Sequence, residues 1–130
     1  MIEFFVLGTP RTKGSFVSFV NPKNGRLVTK NQLPTTSQWQ KQIANEARLF
    51  RPPSLWSEAV SLDCTFFLKK GKTVTREHPC VFPDIDKLLR CVFDGLSGVI
   101  YADDKQVVDV CARKVYGKVP GVVIKVWQAE

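Results

Sequence analysis

The sequence contains a single histidine, no closely spaced pair of cysteines and no long apolar run. One histidine, His78, cannot by itself build a histidine metal site or a hydrolytic triad, and we expect it to lie in a loop. The four cysteines, at positions 64, 80, 91 and 111, lack the short spacing of structural zinc sites, so we expect reduced, small apolar residues. The apolar runs are too short to cross a bilayer, and the N-terminus lacks the basic segment and cleavage site of a signal peptide. These absences predict a cytoplasmic protein without a membrane partner.

Positive charge predominates, but it is unevenly distributed along the chain. The 19 Lys and Arg residues outnumber the 12 Asp and Glu residues, which gives a net charge of +7. Residues 84–109 hold six of the twelve acids and only three bases, so this segment carries −3 and the remainder carries +10. A basic surface favours a polyanion such as DNA through contacts with phosphates. A concentrated acidic segment repels the same polyanion unless cations neutralise it.

Alternating and β-branched apolar segments predict six strands, at residues 2–7, 16–20, 26–29, 60–68, 106–116 and 122–127. The second and third strands are expected to form a hairpin, because Asn24 and Gly25 supply the positive φ angles of a tight turn. Residues 30–34 are expected to form a linker and residues 99–102 a short extended segment. Asp103 and Asp104 are expected to form a turn.

Two segments have the apolar spacing of amphipathic helices. The first is predicted to run from Thr36, as N-cap, to about Phe50, with Trp39, Ile43, Ala47 and Phe50 on one face. The second is predicted to open at Asp84 or Asp86 and to be capped near Gly98; its apolar stripe comprises Ile85, Leu88, Leu89, Val92 and Leu96. The length of 130 residues and the order of elements indicate one domain, residues 1–130, with an α+β fold. We expect a mixed β-sheet packed with two main helices.

Four aspartates in the acidic segment are candidate metal ligands. Asp84 and Asp86 could together hold Mg²⁺, which prefers oxygen ligands, but aspartates at a helix start also serve as caps. Asp103 and Asp104 could do the same, or could simply form a turn. Asp94, two helical turns after Asp86, is too distant to share an ion and is expected to be a surface or structural residue.

Arg90 and the basic loops also have two interpretations each. Arg90 lies one turn after Asp86, where it could form a surface ion pair or contact a phosphate that develops charge in a transition state. The basic residues that are candidates for DNA contact fall in two loops, and each loop could equally be a solvated turn. They are Arg11 and Lys13 near the N-terminus, and Lys69, Lys70, Lys72 and Arg76 after the fourth strand.

Two parts of the acidic segment together resemble the signature of the RusA family of Holliday-junction resolvases. Residues 83–90 read PDIDKLLR and residues 93–107 read FDGLSGVIYADDKQV. The family pattern is approximately P-D-x-D-N-L-x-K followed by D-A-L-N-G-V-x-Y-x-D-D-x-Q-V. The match spans about 25 residues and preserves helix and loop lengths, so it is specific where each half alone is weak. Residues 10–15, PRTKGS, also resemble the Pro- and Lys-rich opening of the family.

The resemblance implies a RusA-like fold and a homodimer that cuts four-way DNA junctions symmetrically with Mg²⁺, or with Mn²⁺ in its place. The metal-binding and catalytic carboxylates of the family fall on Asp84, Asp86 and Asp104, with Asp103 adjacent. The functional lysine of the family falls on Arg90, which keeps the charge but changes its hydrogen-bonding geometry. Lys87 stands where the family usually has Asn, and it becomes a further candidate for DNA contact. Many family members look phage- or prophage-derived, so a bacterial protein of such origin is expected.

The predicted function is therefore Mg²⁺-dependent cleavage of four-way junctions in DNA recombination and repair. Two alternatives stay open at this point. One is a DNA-binding protein without catalysis, in which Lys87 and Arg90 mark the decay of the site. The other is a metal-dependent nuclease that acts on flaps or single strands. Cleavage with and without divalent ions tests the first alternative, and competition between a junction and a flap tests the second.

Overall fold

A mixed β-sheet with two helices on one face forms the centre of the protein. The computed structural model describes residues 1–13, 17–30 and 34–129. The strands are β1 (Ile2–Leu7), β2 (Val17–Val20), β3 (Leu27–Lys30), β4 (Val60–Leu68), β5 (Val107–Tyr116) and β6 (Gly121–Gln128). The helices are α1 (Pro34–Arg48) and α2 (Ile85–Leu96), and a single 3-10 turn spans Asp104–Gln106. The predicted order of elements and the α+β class are confirmed.

The main sheet has the strand order β1-β6-β4-β5, with β6 antiparallel to both of its neighbours and β5 parallel to β4. A parallel pair needs a crossover connection, and α2 lies in the segment that links β4 to β5. Arg113 of β5 donates hydrogen bonds of 2.9 and 3.2 Å to the carboxylate of Asp63 on β4. This pairing lowers the pKa of Asp63 and fastens β5 to the sheet.

The strands β2 and β3 pair with each other in a separate antiparallel hairpin, with Val17 opposite Lys30 and Val20 opposite Leu27. Gly25 has a φ of +69°, as predicted, but Asn24 does not have the positive φ that was predicted for it. The two strands are joined by the longer loop of residues 21–26 and not by a two-residue turn. The first residue of the predicted strand, Phe16, and most of the predicted linker lie outside the described residues. The hairpin prediction is confirmed.

The core lies between the helices and one face of the sheet. Alternate residues of the strands point into it, which is the period-2 pattern of a sheet buried on one side. They include Phe4 and Val6 of β1, Leu62, Cys64 and Phe66 of β4, and Val122, Ile124 and Val126 of β6. Helix α1 contributes Trp39, Ile43 and Ala47, and α2 contributes Leu88, Cys91, Val92 and Leu96. The predicted apolar faces are therefore confirmed for these helical residues, while Ile85 and Leu89 are half-buried.

The two helices approach each other closely at Gly95. A Cβ atom at this position would lie 2.7 Å from Ile43 Cγ2, which no real contact of this type tolerates. Glycine therefore lets α2 settle against α1, and this contact sets the position of α2 on the sheet. Among the described residues, no helix combines the length and the apolar character that crossing a membrane requires.

The start and the end of α1 differ from the prediction. The helix begins at Pro34, so Thr36 lies within its first turn and is not the N-cap. Proline is suited to the start of a helix because its φ is preset and no hydrogen bond is lost there. The buried Thr36 hydroxyl instead donates to the carbonyl of Thr12 (3.0 Å). Phe50 lies beyond the end of the helix, where its ring stacks on Phe4 with centroids 5.5 Å apart.

The prediction of an extended segment at residues 99–102 is wrong. The backbone N–H groups of Val99 and Ile100 both donate to the carbonyl of Leu96 (3.0 Å each), so the chain turns directly after α2. Gly98 has a φ of +80°, which allows this turn and fits its predicted place at the helix end. Only Tyr101 makes strand-like bridges, to Trp56 and Ser97.

Two of the four cysteines, and the histidine, lie in the environments that were predicted for them. Cys64 and Cys91 are buried in the core, and burial raises the pKa of each thiol to about 12. These two therefore act as the small apolar residues that we predicted, whereas Cys80 and Cys111 are exposed. His78 is exposed in a loop, as predicted.

Candidate active site

The first pair of candidate carboxylates lies at the start of α2. Asp84 is the N-cap residue, but its carboxylate makes no capping hydrogen bond. Lys87 Nζ lies 3.6 Å from Asp84 Oδ2 in an exposed ion pair. Asp86 is exposed in the first turn of the helix. Capping therefore does not account for the Asp84 carboxylate, which is paired with Lys87 and remains 58% exposed.

A lysine from β5 holds the segment that leads into this helix. Lys114 Nζ donates to the carbonyl of Val81 and to the carbonyl of Pro83, at 2.8 Å each. Both hydrogen bonds are charge-assisted, which makes them stronger than bonds between neutral groups. The end of the sheet thus fixes the backbone directly before Asp84. Sequence reasoning missed Lys114 because it lies about 30 residues away and matches no motif.

The second pair of candidate carboxylates lies at the 3-10 turn. The Asp103 carboxylate accepts a hydrogen bond from the Lys105 N–H (2.9 Å), and Gln106 Oε1 accepts one from the Asp103 N–H (2.8 Å). Gln106 Nε2 also donates to the carbonyls of Trp56 and Glu58, at 2.8 Å each. Asp103 therefore has the structural role of a cap, as the turn interpretation predicts. Asp104 is exposed and begins the turn.

The two neighbouring carboxyl groups have pKa values that move apart. The hydrogen bond from the Lys105 N–H lowers the pKa of Asp103. Partial desolvation raises the pKa of Asp104, and the neighbouring Asp103 raises it further. A cation bound at Asp104 would reduce the repulsion between these like charges.

The two pairs of carboxylates lie at opposite ends of α2. The helix has 12 residues, and at about 1.5 Å per residue its length is about 18 Å. Lys114 holds Pro83 at the start of the helix, and Tyr101 donates to the carbonyl of Phe93 (3.3 Å) in the last turn. The chain then bonds to Trp56 through the N–H of Ala102 (3.2 Å) and continues through the 3-10 turn into β5, whose first residue, Val107, pairs with Val60. Asp84 and Asp86 are therefore separated from Asp104 by nearly the full length of α2.

The electrostatic environment of Asp104 agrees with this separation. Besides Asp103, the charged side chain that raises its pKa is that of Asp94, which lies in the last turn of α2. Asp94 itself forms an ion pair with Lys13, whose Nζ lies 2.6 Å from Asp94 Oδ2. In the described part of one chain, no three His, Cys, Asp or Glu side chains lie close enough to hold a metal ion together.

The structure gives Lys13 an internal partner. Its Nζ also donates to Gln40 Oε1 (3.1 Å), and its backbone N–H donates to the carbonyl of Lys87 (3.1 Å). The N-terminal loop is thereby fastened to both helices. DNA contact by Lys13 stays a prediction, but in this structure its ammonium group forms an ion pair with Asp94. Asp94 is thus structural, as we expected, through a partner that the sequence did not indicate.

Arg90 is exposed on the face of α2 that carries Asp86. The ion pair between these two side chains, which the spacing favoured, is not formed within 4.0 Å in the described structure. The guanidinium is therefore available to an external anion. Of the predicted site residues, the structure brings Arg90 and Lys87 next to Asp84 and Asp86 on one helix.

A cluster of basic residues lies at the same end of the sheet as Asp84. Lys70 Nζ is 5.6 Å from the centre of the Tyr116 ring, and Arg76 Nη1 donates to the Tyr116 hydroxyl (3.1 Å). Lys69 lines a cleft with Arg76, Tyr116 and Pro83. Lys72 is exposed in the adjoining loop, and Arg11 is exposed near the N-terminus. Tyr116 and Lys118, which lines a neighbouring pocket with Lys69 and Lys70, were not predicted.

The carboxylates fit a hard divalent ion in their chemistry. Mg²⁺ is held in proteins by one or two carboxylates and several waters, and it often binds a substrate phosphate as well. Asp84 and Asp86 supply two such groups at one end of α2, and Asp104 supplies one at the other. The basic cluster lies beside the first group, so phosphates are attracted to the end of the molecule where the carboxylates repel them. A cation between the two resolves this conflict.

Two comparisons relate the chain to known proteins. The chain is 29% identical to the uncharacterized protein YqaN of Bacillus subtilis, over 96% of this chain and 94% of that protein. It also matches the profile of the family described as endodeoxyribonuclease RusA over residues 9–127, which include both carboxylate pairs, Arg90 and the basic cluster. The chain belongs to the RusA family of endodeoxyribonucleases, nucleases that resolve Holliday junctions.

Proposed function

We propose that the protein is a Mg²⁺-dependent endonuclease that cuts four-way DNA junctions symmetrically as a homodimer. The observation that carries this proposal is the pair of exposed carboxylates, Asp84 and Asp86, directly beside a cluster of basic residues. When bound, Mg²⁺ (or Mn²⁺ in its place) supplies Lewis-acid activation of the phosphodiester and of water. DNA is the substrate, so we also propose that the protein acts in the cytoplasm.

The separation of the carboxylates supports a site built from two chains. A two-fold axis that places two α2 helices side by side in opposite directions brings Asp84 and Asp86 of one protomer near Asp104 of its partner. Each dimer then has two equivalent sites, one for each strand to be cut. A single chain, by contrast, offers Asp84 and Asp86 without Asp104.

The free edge of the main sheet is the surface that we propose for this dimer. β5 is paired with β4 on one side only, and Val108 and Val110 of β5 are 65% and 37% exposed. Antiparallel pairing of β5 with its copy satisfies the unpaired backbone groups of the edge and covers these side chains. The same pairing sets the two α2 helices in opposite directions, because α2 contacts β5.

The remaining residues position and hold the DNA. Arg90 is free of internal partners in the described structure, and we assign it the contact with the phosphate at which negative charge develops. Asp103 shapes the turn that carries Asp104. Lys69, Lys70, Lys72, Arg76 and Arg11 bind neighbouring phosphates, and Lys87 approaches the DNA beside Asp84.

We expect Arg90→Ala to remove most of the junction cleavage, and Arg90→Lys to retain much of it. The side chain is exposed, so its removal leaves no cavity and the melting temperature should not change. Loss of a cation that stabilises the transition state costs about 2–4 kcal/mol, which lowers the rate by tens- to several-hundredfold. Single-turnover cleavage rates measure this effect. If Arg90→Ala cleaves at the wild-type rate, Arg90 is a surface residue with no role in cleavage.

Cleavage of an end-labelled synthetic four-way junction tests the proposed function. We expect paired cuts on opposite strands with Mg²⁺ and none when EDTA replaces it. Tight junction binding without cleavage under any divalent ion would favour a DNA-binding protein that has lost catalysis. If a flap is cut faster than a junction in direct competition, the result would favour a nuclease that acts on flaps or single strands. Sedimentation as a monomer, both free and on the junction, would overturn the dimer.

A further inference from the structure

A cleft of about 320 Å³ lies beside Pro83, the residue that precedes Asp84. Its lining includes the apolar side chains of Val81 and Phe82, the ring of Tyr116, and the basic residues Lys69 and Arg76. Phe82 is 77% exposed, so most of its ring surface is accessible to a ligand. No acidic residue lines the cleft in the described part of the chain.

The walls of this cleft are held in place from the sheet. Lys114 binds the carbonyls on both sides of Phe82, those of Val81 and Pro83, at 2.8 Å each. Arg76 fixes Tyr116 through its hydroxyl (3.1 Å). The backbone of Phe82 is therefore anchored while its ring stays in solvent. A ring held in this way loses little freedom when a ligand covers it.

We propose that this cleft binds an unstacked nucleobase of the strand that is cut, with the Phe82 ring as its stacking surface. The proposal rests on the proposed function, since it takes the scissile phosphate to lie at Asp84. Aromatic rings bind bases of any sequence by stacking, and basic residues around them hold the flanking phosphates. Lys69 and Arg76 are placed for those phosphates.

A branch point is the part of DNA where this contact is easiest to make. Drawing a base out of a continuous duplex costs a few kcal/mol, and the cost is least where pairing or stacking is already disturbed. A base pocket next to the metal-binding carboxylates therefore favours junctions over duplex DNA. It also selects the strand and position of the cut, because only the neighbouring phosphate then reaches Asp84.

Charge distinguishes a base from the other candidate occupant, a second copy of this chain. The cleft is bordered by Lys69 and Arg76 and carries no compensating acid among its described residues. Two copies that met at these clefts would bring like charges together, whereas DNA brings opposite ones. The cleft also adjoins the basic cluster that binds phosphates in the proposed function.

The test is a double-mutant cycle between Phe82 and the base, measured by binding in EDTA so that cleavage plays no part. Wild-type protein and Phe82→Ala are each titrated with an intact synthetic junction and with junctions that carry one abasic site. The abasic site is moved through every nucleotide that borders the branch point. At one position we expect the missing base to weaken wild-type binding by about five- to one-hundredfold. Phe82→Ala should weaken binding to the intact junction by the same factor and bind both junctions alike.

Two further variants separate stacking from other roles of Phe82. Phe82→Trp should restore both the affinity and its dependence on the base, because the larger ring also stacks. Leu49→Ala is the matched control, since Leu49 is an apolar side chain of similar exposure (73%) in the turn directly after α1. This control should bind like the wild type.

The possible outcomes separate this proposal from the proposed function. Independent, additive losses at every abasic position would overturn the base pocket, and so would a shift of Phe82→Ala towards monomer in sedimentation. Failure of the wild-type protein to cut the junction with Mg²⁺ would overturn the proposed function. That failure leaves the binding cycle readable, because the cycle is measured without metal.

Discussion

Asp86→Asn and Asp104→Asn should each reduce junction cleavage by about a hundredfold or more while preserving junction binding without metal. Each substitution removes a formal negative charge from a carboxylate that hard cations require. It also removes a negative group that faces phosphates, so binding in EDTA should stay the same or become tighter. The loss of cleavage is of the size seen when one electrostatic contact to a transition state is removed.

The alternative interpretations of these two residues predict another result. Asn caps helices about as well as Asp, so a capping role makes Asp86→Asn nearly silent in stability and activity. Glu3→Gln is a suitable control, because it removes an exposed carboxylate from β1, on the opposite edge of the sheet from β5. Gel shift, cleavage rate and melting temperature are to be measured on the same preparations. Full cleavage by both Asp variants would show that these aspartates are structural.

Mixing the two inactive variants should restore cleavage. In a dimer of one Asp86→Asn chain and one Asp104→Asn chain, one site combines both defects. The other site combines the intact Asp84 and Asp86 of one protomer with the intact Asp104 of its partner. This mixed dimer should therefore nick one strand of the junction at close to the wild-type rate per site. The paired cut on the opposite strand should remain absent.

A site contained within one chain predicts no recovery, since each chain of the mixed dimer lacks one of its own ligands. The experiment needs two differently tagged chains that are co-expressed and purified in two affinity steps, so that only mixed dimers are assayed. Each variant alone, carried through the same steps, gives the background. Nicking no faster than this background, in a preparation shown by sedimentation to be dimeric, would place the metal site within one protomer.

The amino-acid sequence predicted the elements that depend on local patterns. The alternation of Leu62, Cys64 and Phe66 and the spacing of Leu88, Val92 and Leu96 were each sufficient to identify a strand and a helix. These patterns are readable because side chains on one face of an element recur with a fixed period. The errors lay at the start of α1 and in the turn after Gly98. At these positions individual hydrogen bonds and backbone preferences determine the structure, and apolar periodicity does not.

The acidic residues could be named from the sequence because their signature is contiguous. Their grouping could not be predicted in the same way. The length of α2 already separates Asp86 from Asp104, but a chain that folded back along the helix would have reunited them. The backbone hydrogen bonds that Ile100 and Ala102 form with Trp56, and the pairing of Val107 with Val60, show that the chain leaves the helix and continues into the sheet. That choice depends on contacts with Trp56 and β4, which are distant in the sequence.

The sequence by itself determined the composition of the proposed active centre: carboxylates of the kind that bind Mg²⁺, basic residues for phosphates, and the helix that carries the first carboxylate pair. Only the tertiary structure decided which of these groups meet. It placed Lys13 on Asp94, Lys114 on the carbonyls before Asp84, and the two carboxylate pairs at opposite ends of α2. The physical reason is that residue type and local spacing fix the chemistry and the face of each side chain. Distances between elements are set by how the helices and the sheet edge pack, which no local pattern contains.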